Sequence, residues 1–325
     1  VWVYGERALA GAEPFLPAAF HLPEAKKILF TGHCSERDVA GLVQASGDDR
    51  AVVIGVGGGA LLDSAKVLAR RLGVPLVAIP TIAATCAAWT PLSVWYSDAG
   101  QALNFEIFDD ANFLVLVEPR IILNAPAEYL LAGIGDTLAK WYEAVVLAPQ
   151  PTALPLTVRL GINGALAIRD VLLASSETAL ADQRRGDLTQ AFRDVVEAII
   201  AGGGMVGGLG ERYTRVAAAH AVHNGLTVLP QTDKFLHGTK VAYGILVQSA
   251  LLGQDDVLAQ LVQAYQRFNL PTTLAALEVD INNRAELDRV IAHTLRPGES
   301  IHYLPVTLTP EVLRAAFEKV EYFSR

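Results

Sequence analysis

Residues Val52 to Lys66 read VVIGVGGGALLDSAK. A short apolar run passes into Gly57-Gly58-Gly59 and then directly into a helical pattern. Strand, glycine turn and helix in that order mark a junction of a parallel α/β sheet. Glycines let a backbone approach a ligand, and a helix start offers unpaired N–H groups and the positive end of a dipole. A pyrophosphate suits such a turn. The string also satisfies G-x-G-x-x-A through Gly55, Gly57 and Ala60. The dinucleotide fingerprint, however, asks for an acid about 20 residues on, at the end of the next strand. Here that strand ends in Pro80-Thr81. A phosphate-holding turn and a turn needed only for tight strand–helix packing both remain compatible with these residues.

Outward from this turn, the runs Lys27–Phe30, Ala51–Gly55, Leu76–Pro80 and Phe113–Val117 are short, bounded and apolar. Such runs predict strands buried on both faces of a parallel sheet. Leu61 to Leu72 reads as a crossover helix ended by Gly73 and Pro75. The expectation is a doubly wound, mostly parallel α/β dinucleotide-binding domain over residues 1–123. Because Val1 opens within a strand pattern, the first strands of that domain are expected to lie ahead of it. After Asn124-Ala125-Pro126 the pattern is nearly all helical, as in Asp187–Ile200, Asp255–Phe268 and Ala285–Leu295. A last helix begins at Thr309-Pro310-Glu311, a capping Thr followed by Pro at the first helical position. Residues 124–325 are therefore read as an all-helical second domain, with a ligand cleft between the two.

The 325 residues carry a formal net charge of -8. An acidic chain is not drawn to nucleic acid or to an anionic membrane surface, which leaves a small molecule as the expected partner. No uninterrupted apolar stretch is long enough to span a bilayer. Two separated cysteines, Cys34 and Cys86, form no disulfide framework, so the expected compartment is the reducing cytoplasm.

Ala217 to Gly238, AAAHAVHNGLTVLPQTDKFLHG, holds His220, His223 and His237, three of the chain's seven histidines. His220 and His223 are three apart and share a helical face. Imidazoles suit zinc or iron, and a catalytic metal takes three protein ligands and keeps one position open. Asp136, in the apolar setting GIGDTLAKW, is the best carboxylate for the third place, since a carboxylate there needs a partner. The alternative is that His223 and Asp136 are structural and the clustering is chance.

GIGDTLAKWYEA, AAAHAVHNGLT, HGTKVAYG and the VGGG turn, in their order along the chain, resemble the glycerol dehydrogenase-like branch of the iron-containing alcohol dehydrogenase superfamily. The resemblance implies a dehydroquinate synthase-like fold, a homo-oligomer, and one divalent metal held by Asp136, His220 and His237. Zinc is the expected ion, with iron, manganese and nickel as alternatives. It implies NAD(P) across Gly58, Gly59 and Ala60, with Thr81, Ala84, Thr85, Thr90, Leu92 and Tyr96 toward the nicotinamide. Glu6 stands where an acid holds the adenosine ribose, while the adjacent Arg7 suits a 2′-phosphate, so NAD and NADP both stay open. The implied activity is hydride transfer assisted by a Lewis-acid metal. His223 is either a proton relay or a packing residue.

The departures point to the substrate. The branch has an Asp where this chain has Cys86, and a thiol is a poor partner for a polyol. Tyr213-Thr214-Arg215 replaces small residues, and Lys140 stands where the iron enzymes carry a fourth ligand, His. Lost negative charge and added positive charge suit a small 2-oxo acid, reduced to the 2-hydroxy acid, with Cys86, Lys140 and Arg215 around it. The alternatives are a glycerol dehydrogenase and, more distantly, a lyase of the dehydroquinate synthase type. Lys140 also has a plainer reading, as the ion-pair partner of Glu143 or Asp136.

Overall fold

The computed structural model describes residues 1–48 and 50–325. Seven strands are present among them: β1 (Trp2–Tyr4), β2 (Lys27–Leu29), β3 (Val53–Gly57), β4 (Leu76–Pro80), β5 (Leu92–Tyr96), β6 (Ala102–Ile107) and β7 (Leu114–Val115). Five form one all-parallel sheet in the order β2-β1-β3-β4-β7. The chain starts in β1, moves outward to β2 and then returns to the other side of β1 as β3. That reversal leaves a crevice at the carboxyl ends of β1 and β3, where open α/β sheets bind ligands. The helices of this half are α1 (Glu6–Ala12), α2 (Glu36–Ser46), α3 (Gly59–Leu72) and α4 (Pro119–Leu123). The crossover helix α3 starts two residues earlier than its apolar pattern suggested. It ends at Gly73 in the left-handed conformation, φ 65°.

Three expectations for the sheet need correction. The predicted strand at Ala51–Gly55 lies two residues later, as β3. Burial on both faces holds for the inner strands β3 and β4 but fails at both edges: Leu29 in β2 and Leu114 in β7 are exposed, as is the neighbouring Phe113. An edge strand has one ladder neighbour and less cover, so its apolar run does not imply a buried one. β5 and β6 form a separate antiparallel hairpin that the apolar-run criterion missed. Every residue of β6 is exposed, so the run carries no burial signature.

The second half contains α5 (Ala127–Leu147), α6 (Leu156–Arg185), α7 (Gln190–Glu197), α8 (Gly203–Leu209), α9 (Ala218–Leu226), α10 (His237–Leu251), α11 (Asp255–Phe268), α12 (Arg284–Thr294) and α13 (Pro310–Phe323). The helix expected over Asp187–Ile200 begins later, because Thr189 caps α7 through Phe192 N, and it continues through a π-helical turn, Ala198–Gly202. Thr309 caps α13 as expected, accepting from Val312 N at 3.2 Å. The halves share one buried apolar cluster that runs from Val3 and Val53 to Phe317 and Val320. The Gln183 side chain also bridges them, donating to the carbonyls of Ile122 and Ala125.

Helices α5 and α10 cross at backbone distance. A Cβ on Gly135 would lie 2.4 Å from the carbonyl oxygen of Gly238, and one on Gly238 would lie 1.9 Å from that of Ala132. Such contact is open only to glycine, and it brings Asp136 of α5 beside His237 of α10. Helix propensity alone would favour Ala over Gly at position 238 by about 1 kcal/mol. The obstacle is backbone, which cannot swing aside, so Gly238→Ala is expected to lose about 1–3 kcal/mol net, the range of overpacked cores. A urea titration with unchanged slope and lower midpoint would show this; an unchanged or raised midpoint would mean that the crossing tolerates a methyl group.

Candidate active site

The first wall of the site is the switch-point crevice, a cleft of about 460 Å³ whose lining includes Glu6, Arg7, Gly58 and Thr81. A smaller hollow below the glycine turn is lined by Gly58, Gly59, Ala84 and Thr85 among others. The two readings of the glycine turn divide along it. Cβ atoms on Gly55 and Gly57 would meet α3 side chains at 3.0 and 2.9 Å, so those glycines serve packing. Gly59 has only ordinary contacts around its Cβ position at the start of α3, where N–H groups are unpaired, whereas Gly58 borders both hollows yet a Cβ there would also meet Ile82 Cδ1 at 2.8 Å. Ala60 is exposed in the first turn of α3. Thr90, Leu92 and Tyr96 line neither hollow. Tyr96 packs against the cluster of Cys34, Val39, Val67 and Phe108.

The main chain of Thr90 and Leu92 has a structural task of its own. Lys66, on α3 and 2% exposed, donates to the carbonyls of Ala87 (3.0 Å), Thr90 (3.2 Å) and Leu92, and pairs with Asp63 at 2.8 Å. Asp63 in turn accepts from Val94 N. A buried ammonium satisfied in this way ties the loop after β4 to α3. The other side of the loop rests on glycines: a Cβ on Gly203 would touch Cys86 Cβ at 3.3 Å, and one on Gly204 would strike Trp89 at 2.4 Å. The loop bearing Thr85 and Cys86 is thus clamped between the halves. Sequence reasoning missed Lys66, although a lysine amid the apolar residues of α3 was a signal.

The second wall holds Asp136, His220 and His237. One ligand atom from each lies within 4.8 Å of the others. Asp136 Oδ1 is 3.3 Å from His237 Nε2 and 3.6 Å from His220 Nε2. The opposite ring nitrogens are both engaged from behind. His220 Nδ1 is 2.7 Å from Glu143 Oε2, and His237 Nδ1 is 3.0 Å from His223 Nε2. Asp136 is buried and the His237 side chain is 43% exposed, so the cluster opens on one side. Two imidazoles with back-side partners, a carboxylate and an open face match a three-ligand metal site with its supporting hydrogen bonds.

Glu143 was weighed only as a possible partner for Lys140. It is fully buried and accepts from Ala217 N at 2.6 Å, His220 N at 3.1 Å and the His220 ring. Gln248 Oε1 accepts from Ala218 N and Ala219 N. Side chains of α5 and α10 therefore cap the start of α9 and aim His220. The available signal was spacing, because Glu143 lies two helical turns after Asp136 on the same face. His223 sits behind His237, and both of its ring nitrogens are engaged, by His237 and by Asn224. Burial, then the nearby His237 and Lys240, hold it well below the usual imidazole range, so it is neutral. This placement favours a supporting role over a relay.

Lys140 is half-buried. Burial opposes its charge, but Cys86 once ionised, together with Asp136 and Glu143, outweighs that and holds the ammonium above its usual range, while Arg215 opposes them. Neither Asp136 nor Glu143 makes an ion pair with it. Among the described residues Lys140 and Arg215 have no hydrogen-bond or ion-pair partner. Burial pushes the Cys86 thiol up despite Lys140, so it is uncharged.

Residues 25–119 match the family model described as iron-containing alcohol dehydrogenase. The chain is 81% identical to hydroxycarboxylate dehydrogenase A of Escherichia coli strain K12 over 323 residues, 99% of this chain and 89% of that protein. The chain belongs to the iron-containing alcohol dehydrogenase family. It is 34% identical to glycerol dehydrogenase of Thermotoga maritima, covering 99% of this chain and 91% of that one. The crystal structure of glycerol dehydrogenase from Schizosaccharomyces pombe superposes with a TM-score of 0.83 at 30% identity, covering 99% and 89%. The fold is the two-part arrangement of these enzymes, and the chain is an oxidoreductase. No helix among the described residues is long and apolar enough to cross a membrane.

The metal-free cluster has a distinct protonation state. Burial would lower the His220 imidazole, but Glu143 and Asp136 outweigh it and push it up to about 9 from 6.5. A raised value means that the bound proton stabilises the metal-free fold fully below pH 6.5, and that this contribution is lost as pH rises through about 9. A metal competes with that proton for Nε2. Zinc uptake at pH 7 is expected to release about one proton per chain, and apparent affinity to rise about tenfold per pH unit toward pH 9. Uptake in weak buffer with an indicator dye measures the release; proton-neutral uptake would contradict this protonation state.

Proposed function

We propose that this protein is a metal-dependent, NAD(P)-linked dehydrogenase that reduces small 2-oxo acids to 2-hydroxy acids. The observation that carries the reading is the pair of unpartnered cations, Lys140 and Arg215, beside Asp136, His220 and His237. Two neighbouring cations, neither of them engaged in a direct ion pair, offer free donors to an anionic substrate. The thiol of Cys86 adds no negative charge to oppose it.

Asp136, His220 and His237 would hold the metal, and Gly58 and Gly59 at the start of α3 would take the cofactor's phosphates. When bound, the metal supplies Lewis-acid polarisation of a carbonyl and the nicotinamide supplies hydride. The chain's own work is positioning. Lys140 and Arg215 hold the carboxylate, so the keto carbon is fixed by two points rather than one. The loop of Thr85 and Cys86, tied by Lys66, sets the distance between the cofactor wall and the metal wall. The similarity to hydroxycarboxylate dehydrogenase A supports this reading, and the likeness to glycerol dehydrogenases keeps a polyol as the second one.

Two tests follow from the two walls. Lys140→Met or Arg215→Met should raise KM for 2-oxobutanoate or 2-oxoglutarate by the equivalent of about 1.5–3 kcal/mol, the worth of a hydrogen bond to a charged group. Reduction of the uncharged hydroxyacetone should be nearly unaffected. Equal losses on charged and neutral ketones would remove the carboxylate anchor, and a wild-type preference for glycerol over every 2-hydroxy acid would return the polyol reading. On the cofactor wall, a Cβ at Gly59 has only ordinary contacts, 3.5 Å to Ala87 and 3.8 Å to Thr85. Gly59→Val should therefore fold and yet fill the hollow. Fluorescence titration with NADH and NADPH should show the lost affinity; unchanged binding would place the phosphates elsewhere.

A further inference from the structure

His237 can ligate a metal through Nε2 only if its proton sits on Nδ1. The ring itself does not decide this, since both tautomers are of similar energy in water. The neighbours decide it, through a chain of hydrogen bonds whose directions can be read from its far end. Glu299 is 7% exposed, lies 62 residues along the chain from His237, and is an acceptor only. Its Oε1 accepts from Arg296 Nε at 2.7 Å and its Oε2 from Asn224 Nδ2 at 2.9 Å. With its NH2 committed to Glu299, Asn224 presents Oδ1 to His223 Nδ1, 3.0 Å away. An amide oxygen cannot donate, so His223 carries its proton on Nδ1 and offers a lone pair at Nε2. That lone pair faces His237 Nδ1 at 3.0 Å. His237 Nδ1 must then be the donor, which turns Nε2 toward the Asp136 carboxylate, where any second proton of the ring would be the one a metal displaces.

We propose that Glu299 is a positioning residue that sets the tautomer of His237 through Asn224 and His223, and so keeps the Asp136–His220–His237 cluster competent for a divalent metal. The inference rests on that cluster's reading as a metal site. Its direction is forced at one point, the carboxylate. An amide in place of Glu299 has one acceptor for two donors. Arg296 carries a full charge and claims the amide oxygen, so the amide NH2 turns to Asn224. Asn224 then rotates to accept, donates its own NH2 to His223 Nδ1, and moves the His223 proton to Nε2. His223 becomes the donor to His237 Nδ1, and the His237 proton moves to Nε2, in the metal's place. Each group keeps its hydrogen bonds while every arrow in the chain reverses.

The test is Glu299→Gln, nearly isosteric, beside the double variant Glu299→Gln/Arg296→Leu, which frees the amide oxygen to face Asn224. Zinc and manganese affinities by equilibrium dialysis need no turnover. Glu299→Gln is expected to bind either ion roughly 10–100-fold more weakly, the usual effect of losing a ligand's supporting partner. The double variant should recover most of that loss. Nitrogen-15 spectra of histidine-labelled, metal-free protein should show His223 and His237 both protonated at Nδ1 in the wild type and at Nε2 in Glu299→Gln. A purely structural Glu299 would lower the melting temperature of both variants with no recovery of affinity and no tautomer change, which would overturn the proposal. Unchanged metal affinity in Glu299→Gln would overturn it too. If wild-type protein binds neither ion while its spectra show the expected tautomers, the metal reading fails and the hydrogen-bond chain stands.

Discussion

The approach of α5 to α10 at Gly135 and Gly238 is the constraint on which the rest of the molecule depends. Side chains at a helix crossing normally hold the axes 8–10 Å apart. Removing them from both helices lets main chain touch main chain, and two residues next to those glycines, Asp136 and His237, are delivered to one point. The same two helices then reach past each other with Glu143 and Gln248 to cap α9 and bring in His220. One contact between backbones thus determines where three helices present their polar side chains. Gly133 extends the principle to the other half, since a Cβ there would lie 2.0 Å from the carbonyl oxygen of Ala83, just ahead of the Cys86 loop.

The two histidines of the cluster are treated alike. Each turns Nε2 toward Asp136 and is held at Nδ1 by an acceptor, Glu143 for His220 and His223 for His237. The acceptors differ in charge, and the difference has an electrostatic effect. A buried carboxylate behind His220 makes that ring the strong base of the pair. A neutral imidazole stands behind His237, whose side chain is 43% exposed against 14% for His220. As ligands the two rings would be equivalent in element but differently supported from behind.

What could be read from the sequence follows from which interactions are local. Strand, glycine turn and helix at Val52–Lys66 are coded by neighbours along the chain, as are the Gly73 stop and the Thr309 cap. The histidine cluster was legible because His220, His223 and His237 lie within one short window, and Asp136 because a carboxylate among apolar residues demands a partner. Edge strands β2 and β7 were overread, because an apolar run says nothing about what covers it. The β5–β6 hairpin was invisible because its exposed strand has no burial pattern. Glu143, Lys66 and Glu299 act on partners 77, 24 and 75 positions away in the sequence, which only the fold supplies. The hold of Lys66 on the carbonyls of Thr90 and Leu92 was not legible, because a carbonyl carries no residue identity.

The shared apolar interior of the two halves has a thermodynamic consequence. A boundary that is polar and wet would let each half melt at its own temperature. Here the buried cluster passes from the sheet into the helices without interruption, so the interface behaves as core rather than as a seam. Unfolding of either half exposes the flank of the other, and the chain is expected to lose structure as one cooperative unit. An ion captured between Asp136 and the histidines would then lend its binding free energy to the whole chain, including the distant sheet edge at β2.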